Sequence, residues 1–114
     1  MQDRSKEQKA LIENFKDCQP LLTAIGDETR QLIIVAIIES GCYPGIRVGD
    51  ITKKVNLSRP AVSHHIKILM DAKIVNVNKQ GTMNFYYLDP GKSRLLDLKT
   101  LVEHIERLMN VQCK

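Results

Sequence analysis

Residues 48–71 read VGDITKKV, then NLS, then RPAVSHHIKILMD. In the first piece Ile51 and Val55 stand at i, i+4, the spacing of one helix face. Asn56 follows where a helix ends, and it accepts the left-handed conformation such an end needs better than most residues do. Leu57 is an apolar anchor. Ser58 is a good N-cap for a second helix. Helix, tight turn and capped helix within so short a span leave few folds open, and the layout is that of a helix-turn-helix.

On the second helix, at ~100° per residue, Val62, Ile66 and Leu69 share one side and should face a core. Arg59, Ser63 and Lys67 share roughly the opposite half, with Pro60 and His64 at its edges. His65 points towards the core boundary. Two adjacent histidines invite a metal reading, but helical neighbours diverge by ~100°. Ligand pairs on helices need i, i+3 or i, i+4 spacing, and no third ligand lies nearby. A cation, a hydroxyl and an imidazole at a helix N-terminus suit nucleic acid instead. The helix end carries unpaired N–H groups and a partial positive charge that favour phosphate. Side chains just inside can reach base edges in a major groove. Arg59 is placed to read guanine, Ser63 and His64 to donate to bases or phosphates, and Lys67 to meet phosphate.

The flanking segments agree with this. Residues 73–88 are rich in Val, Ile, Phe and Tyr around NKQGTMN, which predicts two strands joined by a polar loop. Lys79, Gln80 and Thr82 would lie at its tip, able to follow a backbone or reach a minor groove. Upstream, Ser5 to Asp17 reads as a helix with Leu11, Ile12, Phe15 and Cys18 on one side. Pro20 interrupts it and opens a short helical piece. Asp27 caps ETRQLIIVAIIES, which is apolar over most of its circumference and is expected to be the central buried helix. Near the C-terminus Leu95, Leu98, Val102, Ile105 and Met109, with Leu101 and Leu108 beside them, predict a helix with a wide apolar face.

At 114 residues one domain is expected, with a thin core that pairing with a second copy would complete. It divides into a helical arm at 5–25, the helix-turn-helix at 48–71, a wing at 73–88 and a last helix at 92–110, whose excess apolar surface should meet a second copy. Tryptophan is absent and aromatics make up 4% of the chain, so the core must be aliphatic. From residue 43 to 94 there are nine Lys and Arg against three acids, and elsewhere eight against ten, which puts the positive balance wholly in the middle. No apolar run approaches the ~20 residues of a membrane span, and the charged N-terminus lacks a secretion signal, so a cytoplasmic location is expected. Three scattered cysteines, Cys18, Cys42 and Cys113, form no disulfide framework. An enzyme is not expected, since helical neighbours such as Ser63 and His64 cannot align for proton transfer and no acid orients the imidazole. A protein-interaction module built on the same fold is the other class open at this point.

The segments IGDETRQLIIVAI, RVGDITKKVNLSRPAVSHHIKIL and DAKIVNVNKQGTMNFYYL, in that order, resemble the ArsR-type winged-helix repressors. The resemblance runs from Leu21 to Leu88, and LS-x-x-x-VSHH-x-K-x-L followed by a wing is its most specific part. It implies a mostly helical winged helix-turn-helix with a small β-hairpin wing, acting as a homodimer paired through its first and last helices. It also implies a recognition helix in the major groove of double-stranded DNA, with Arg59, Pro60, Ser63 and His64 facing it; Ser58, the cap, is expected to meet the DNA beside them. Family members are often released by metal or oxidation, and an unidentified inducer is therefore implied. The usual ligands differ here. Arg47 and Gly49 stand where metal sensors carry Cys-x-Cys, His104 is followed at +3 by Arg107, and Asp97 at +2 by Lys99, so no metal or other cofactor is expected. Val35 stands at the central-helix cysteine of redox members. A thiol switch would have to use Cys42 with Cys113, or Cys18 with Cys113.

Overall fold

The computed structural model describes residues 4–41 and 43–112. Its elements run α1 (Arg4–Asp17), α2 (Gln19–Ile25), α3 (Glu28–Glu39), α4 (Val48–Val55), α5 (Arg59–Asp71), β1 (Asn76–Gln80), β2 (Met83–Tyr87), a 3-10 turn (Arg94–Leu96) and α6 (Asp97–Gln112). The fold is mostly helical with one antiparallel hairpin, as the sequence predicts. Among the described residues no helix is long and apolar enough to cross a membrane.

The caps fall where the residue types place them. Asp27 is extended and its carboxylate accepts the N–H of Arg30 at 3.0 Å. That bond is the main reason its carboxyl is held below the usual carboxylate range. Asn56 ends α4 at φ 55°, ψ 51°, and the Ser58 hydroxyl accepts from the Ala61 N–H at 3.3 Å to start α5. The turn between the two helices is therefore three residues long, with each residue in the role its chemistry suits.

The core lies where α2, α3, α4 and α5 meet. Leu21, Ile33, Ile37, Ile51, Val62, Ile66, Leu69 and Ile74 are fully buried in it. One expectation changes. α3 is not buried all round, because Leu32, Val35 and Ile38 are 54%, 50% and 57% exposed. α2, α4, α5 and β2 pack on one side of α3, and so small a chain has no further layer for the other. Replacing Ile37 with alanine should therefore cost about 2–5 kcal/mol in urea denaturation, whereas Ile38→Ala should stay within about 0.5 kcal/mol.

The wing is anchored to the segment before α4. Ile46 and Tyr86 exchange backbone hydrogen bonds of 2.8 and 2.7 Å. Gly45 has φ 107°, and a Cβ there would collide with the Tyr86 carbonyl, so only glycine lets the two backbones come this close. The strands pair from Asn76 with Tyr87 to Gln80 with Met83. The connecting turn is then only Gly81 and Thr82, and Lys79 and Gln80 belong to β1 rather than to a longer loop.

α1 and α6 lie against each other and join the core through Leu101, with Leu11, Leu98 and Ile105 packed beside it. An Asn14–His104 contact of 3.3 Å joins them, and the Arg94 guanidinium donates to the Asp17 carbonyl at 3.1 Å. The molecule measures 59 × 24 × 20 Å with a radius of gyration of 17.4 Å. A compact chain of this length would have about 13 Å, so the helix pair forms an arm that the core does not enclose.

Candidate nucleic-acid interface

α5 is divided by its own periodicity. Val62, Ile66 and Leu69 are buried under α3 and α4, and the side opposite is open. Ser58, Arg59, Pro60, Ser63, His64 and Lys67 are all exposed. Arg59 and Lys67 have no hydrogen-bond or ion-pair partner among the described residues, so both cations are free to meet an external anion. The Ser58 oxygen is occupied as the cap, which leaves its hydroxyl proton available outward. α5 thus presents a helix N-terminus, an arginine, two hydroxyls and an imidazole on one surface.

The histidines separate as their helical spacing requires. Their ring centroids are 5.6 Å apart at 62°. His64 faces solvent, while the half-buried His65 ring lies 3.2 Å from Nη1 of Arg30. Among the described residues no three His, Cys, Asp or Glu side chains gather as a metal site. At the wing tip Lys79, Gln80 and Thr82 are exposed together with Met83 and Asn84.

The structure adds cations that helix-face reasoning about α5 did not single out. Arg47 stands at the N-cap position of α4, and it lines one small cleft with Gly49, Asp50 and Arg59. Lys53 and Lys54 lie with Arg47, Ile46 and Phe85 around a wider hollow between α4 and the wing. The local excess of Lys and Arg was a signal for them, but only the crossing of α4 over α5 shows that Arg47 sits beside Arg59. A cationic surface therefore extends from the leading end of α5 across α4 towards the hairpin.

The cysteines are placed differently from one another. Cys18 is buried between α1 and α2, with its sulfur 3.8 Å from Oδ1 of Asn14. Cys42 and Cys113 lie outside the described residues.

Comparison with known proteins agrees with this architecture. A family profile described as "Bacterial regulatory protein, arsR family" matches residues 27–77, which hold α3, the helix-turn-helix and the start of the wing. An HTH-type transcriptional regulator of Methanocaldococcus jannaschii is 36% identical over 77 residues, covering 68% of this chain and 83% of that protein. The transcriptional repressor SdpR of Bacillus subtilis is 33% identical over 66 residues, covering 58% of this chain and 69% of the repressor. Among solved structures, an ArsR-like transcriptional regulator from a Rhodococcus species superimposes with a TM-score of 0.66 at 18% identity, over 85% of this chain and 81% of that one. Reduced HlyU from Vibrio cholerae gives 0.62 at 24% identity, over 93% and 99%. These likenesses in structure establish the winged-helix fold, and the sequence matches go further: this chain belongs to the arsR family of bacterial regulatory proteins and is a helix-turn-helix transcriptional regulator, not an enzyme.

Proposed function

We propose that the protein acts as a homodimeric repressor whose two copies of α5 enter successive major grooves of a palindromic operator. The observation that carries this is the division of α5 itself, with Arg59, Ser63, His64 and Lys67 open on one side and Val62, Ile66 and Leu69 buried on the other. A helix so held is fixed in orientation by its core face, and its N-terminal end projects. Arg59 is the candidate for bidentate contact with guanine, and Ser63 and His64 for neighbouring bases or phosphates. Ser58, Pro60 and Lys67 would sit against the backbone, and Lys79, Gln80 and Thr82 of the wing would follow it outward. Arg47 and Lys53 extend the same phosphate track.

Pairing is supported by the arm. Ile12 and Phe15 on α1 and Val102 and Met109 on α6 are large apolar side chains left exposed. Val102 and Met109 are two turns apart, only ~20° from each other around the helix, so they form a stripe that a second copy would cover. A two-fold axis through this arm would set half-sites one helical turn apart, ~10 bp or a multiple. A repressing role is supported by the likeness to SdpR, itself a transcriptional repressor.

A gel shift against a duplex selected from a randomised pool, with a salt titration, tests this. Binding should prefer the selected duplex and weaken steeply with salt, because phosphate contacts release counterions. A protein-interaction module would show no sequence preference. Lys79→Ala should weaken selected and scrambled duplexes alike and reduce the salt slope by about 1.

A further inference from the structure

Arg30 is the most heavily engaged cation among the described residues, and DNA binding leaves it unused. Its Nε donates to the Ala24 carbonyl at 2.6 Å and its Nη2 to the Thr23 carbonyl at 3.2 Å, both at the end of α2. Its backbone N–H is held by the Asp27 cap at 3.0 Å. The remaining branch, Nη1, lies 3.2 Å from Nδ1 of His65 on α5. One side chain therefore ties the end of α2 and the start of α3 to the recognition helix, next to His64 on its reading face. Three of the four bonds stay within α2 and α3, and only the last reaches α5.

We infer that Arg30 is a positioning residue for operator recognition, and that it holds α5 in its reading orientation through a neutral His65. The inference rests on α5 being the DNA-reading helix. Its chemistry is that of donor and acceptor. A guanidinium only donates, so Nδ1 of His65 must be the bare nitrogen of the ring and Nε2 must carry the proton. Protonating the ring turns Nδ1 into a donor facing a cation, and the bond is lost. The other groups facing His65 do not restore it. From the start of α3 the Asp27 carboxylate attracts a charged ring, but that attraction does not restore the bond to Arg30. α2 has no ionisable side chain and brings only its carbonyls, which Arg30 already occupies. α5 brings the neighbouring His64 ring.

The test compares affinity for a duplex selected from a randomised pool with affinity for a scrambled duplex at pH 7.5. His65→Leu, which removes the acceptor, should lower the ratio roughly tenfold, the size expected for one charge-assisted hydrogen bond. His65→Gln, whose amide oxygen accepts from Arg30, should hold the loss below about twofold. Arg30→Lys, folded by circular dichroism, should show the same low ratio as His65→Leu. Nitrogen NMR of the free protein at pH 7.5 should find His65 Nδ1 unprotonated. An Nδ1–H tautomer, or equal ratios for His65→Leu and His65→Gln, overturns the inference while leaving DNA reading by α5 intact. Failure of the wild type to select any sequence would instead remove the DNA-reading account, and this inference with it.

Discussion

Replacing Arg59 with alanine is expected to weaken binding to the operator by about 1–3 kcal/mol, roughly five- to 150-fold, and to relax preference at one base position. Arg59 is the first residue of α5, exposed, and without a partner among the described residues. Its removal therefore leaves no buried group unsatisfied, and stability should change by no more than about 0.5 kcal/mol. A helix N-terminus in a major groove brings its first side chains nearest the base edges, and arginine's fork matches the two acceptors of guanine. Selection from a randomised pool with wild type and variant, read by sequencing, would show the relaxed position. An unchanged preference would place the reading face elsewhere.

Putting aspartate at both Val102 and Met109 is expected to have the larger effect. Both side chains are about 60% exposed, so the fold of one copy should survive. In a dimer the two stripes would meet, and four carboxylates would be buried without partners. Sedimentation at micromolar concentration should then find monomers. Losing the second recognition helix removes the gain from simultaneous binding, which is worth about 10²–10⁴ in affinity. A variant that still sediments as a dimer would move the interface away from α6.

Much of this was legible from residue types at fixed offsets. Asp27, Asn56 and Ser58 each announce a helix end by what their side chains or backbones accept, and all three ends fall there. The alternation of Val62, Ile66 and Leu69 with Arg59, Ser63 and Lys67 likewise marks the two sides of α5 by helical spacing alone. α3 was less legible, for a physical reason. An apolar helix covered all round and one that shows half its surface have the same composition, and only the number of layers around it decides. Leu32, Val35 and Ile38 are exposed because no described element of this chain covers them. The wing turn was shorter than its polar composition suggests, since Lys79 and Gln80 are as acceptable on an exposed strand edge as in a loop. Arg30 carries no local signal at all, and Arg47 only the local excess of cations. The role of each depends on which element the fold brings alongside it, the end of α2 and His65 for one, and Arg59 for the other.

The central claim is that the leading end of α5 lies in the major groove of duplex DNA, once for each half of a dimer. Methylation interference at guanine N7, an atom displayed only in that groove, tests it most directly. Modified guanines should block binding in two clusters related by a two-fold axis and separated by about one helical turn or a multiple, and Arg59→Ala should abolish one position from each cluster. Binding that tolerates N7 methylation throughout, or interference confined to a single unpaired cluster, would contradict the account.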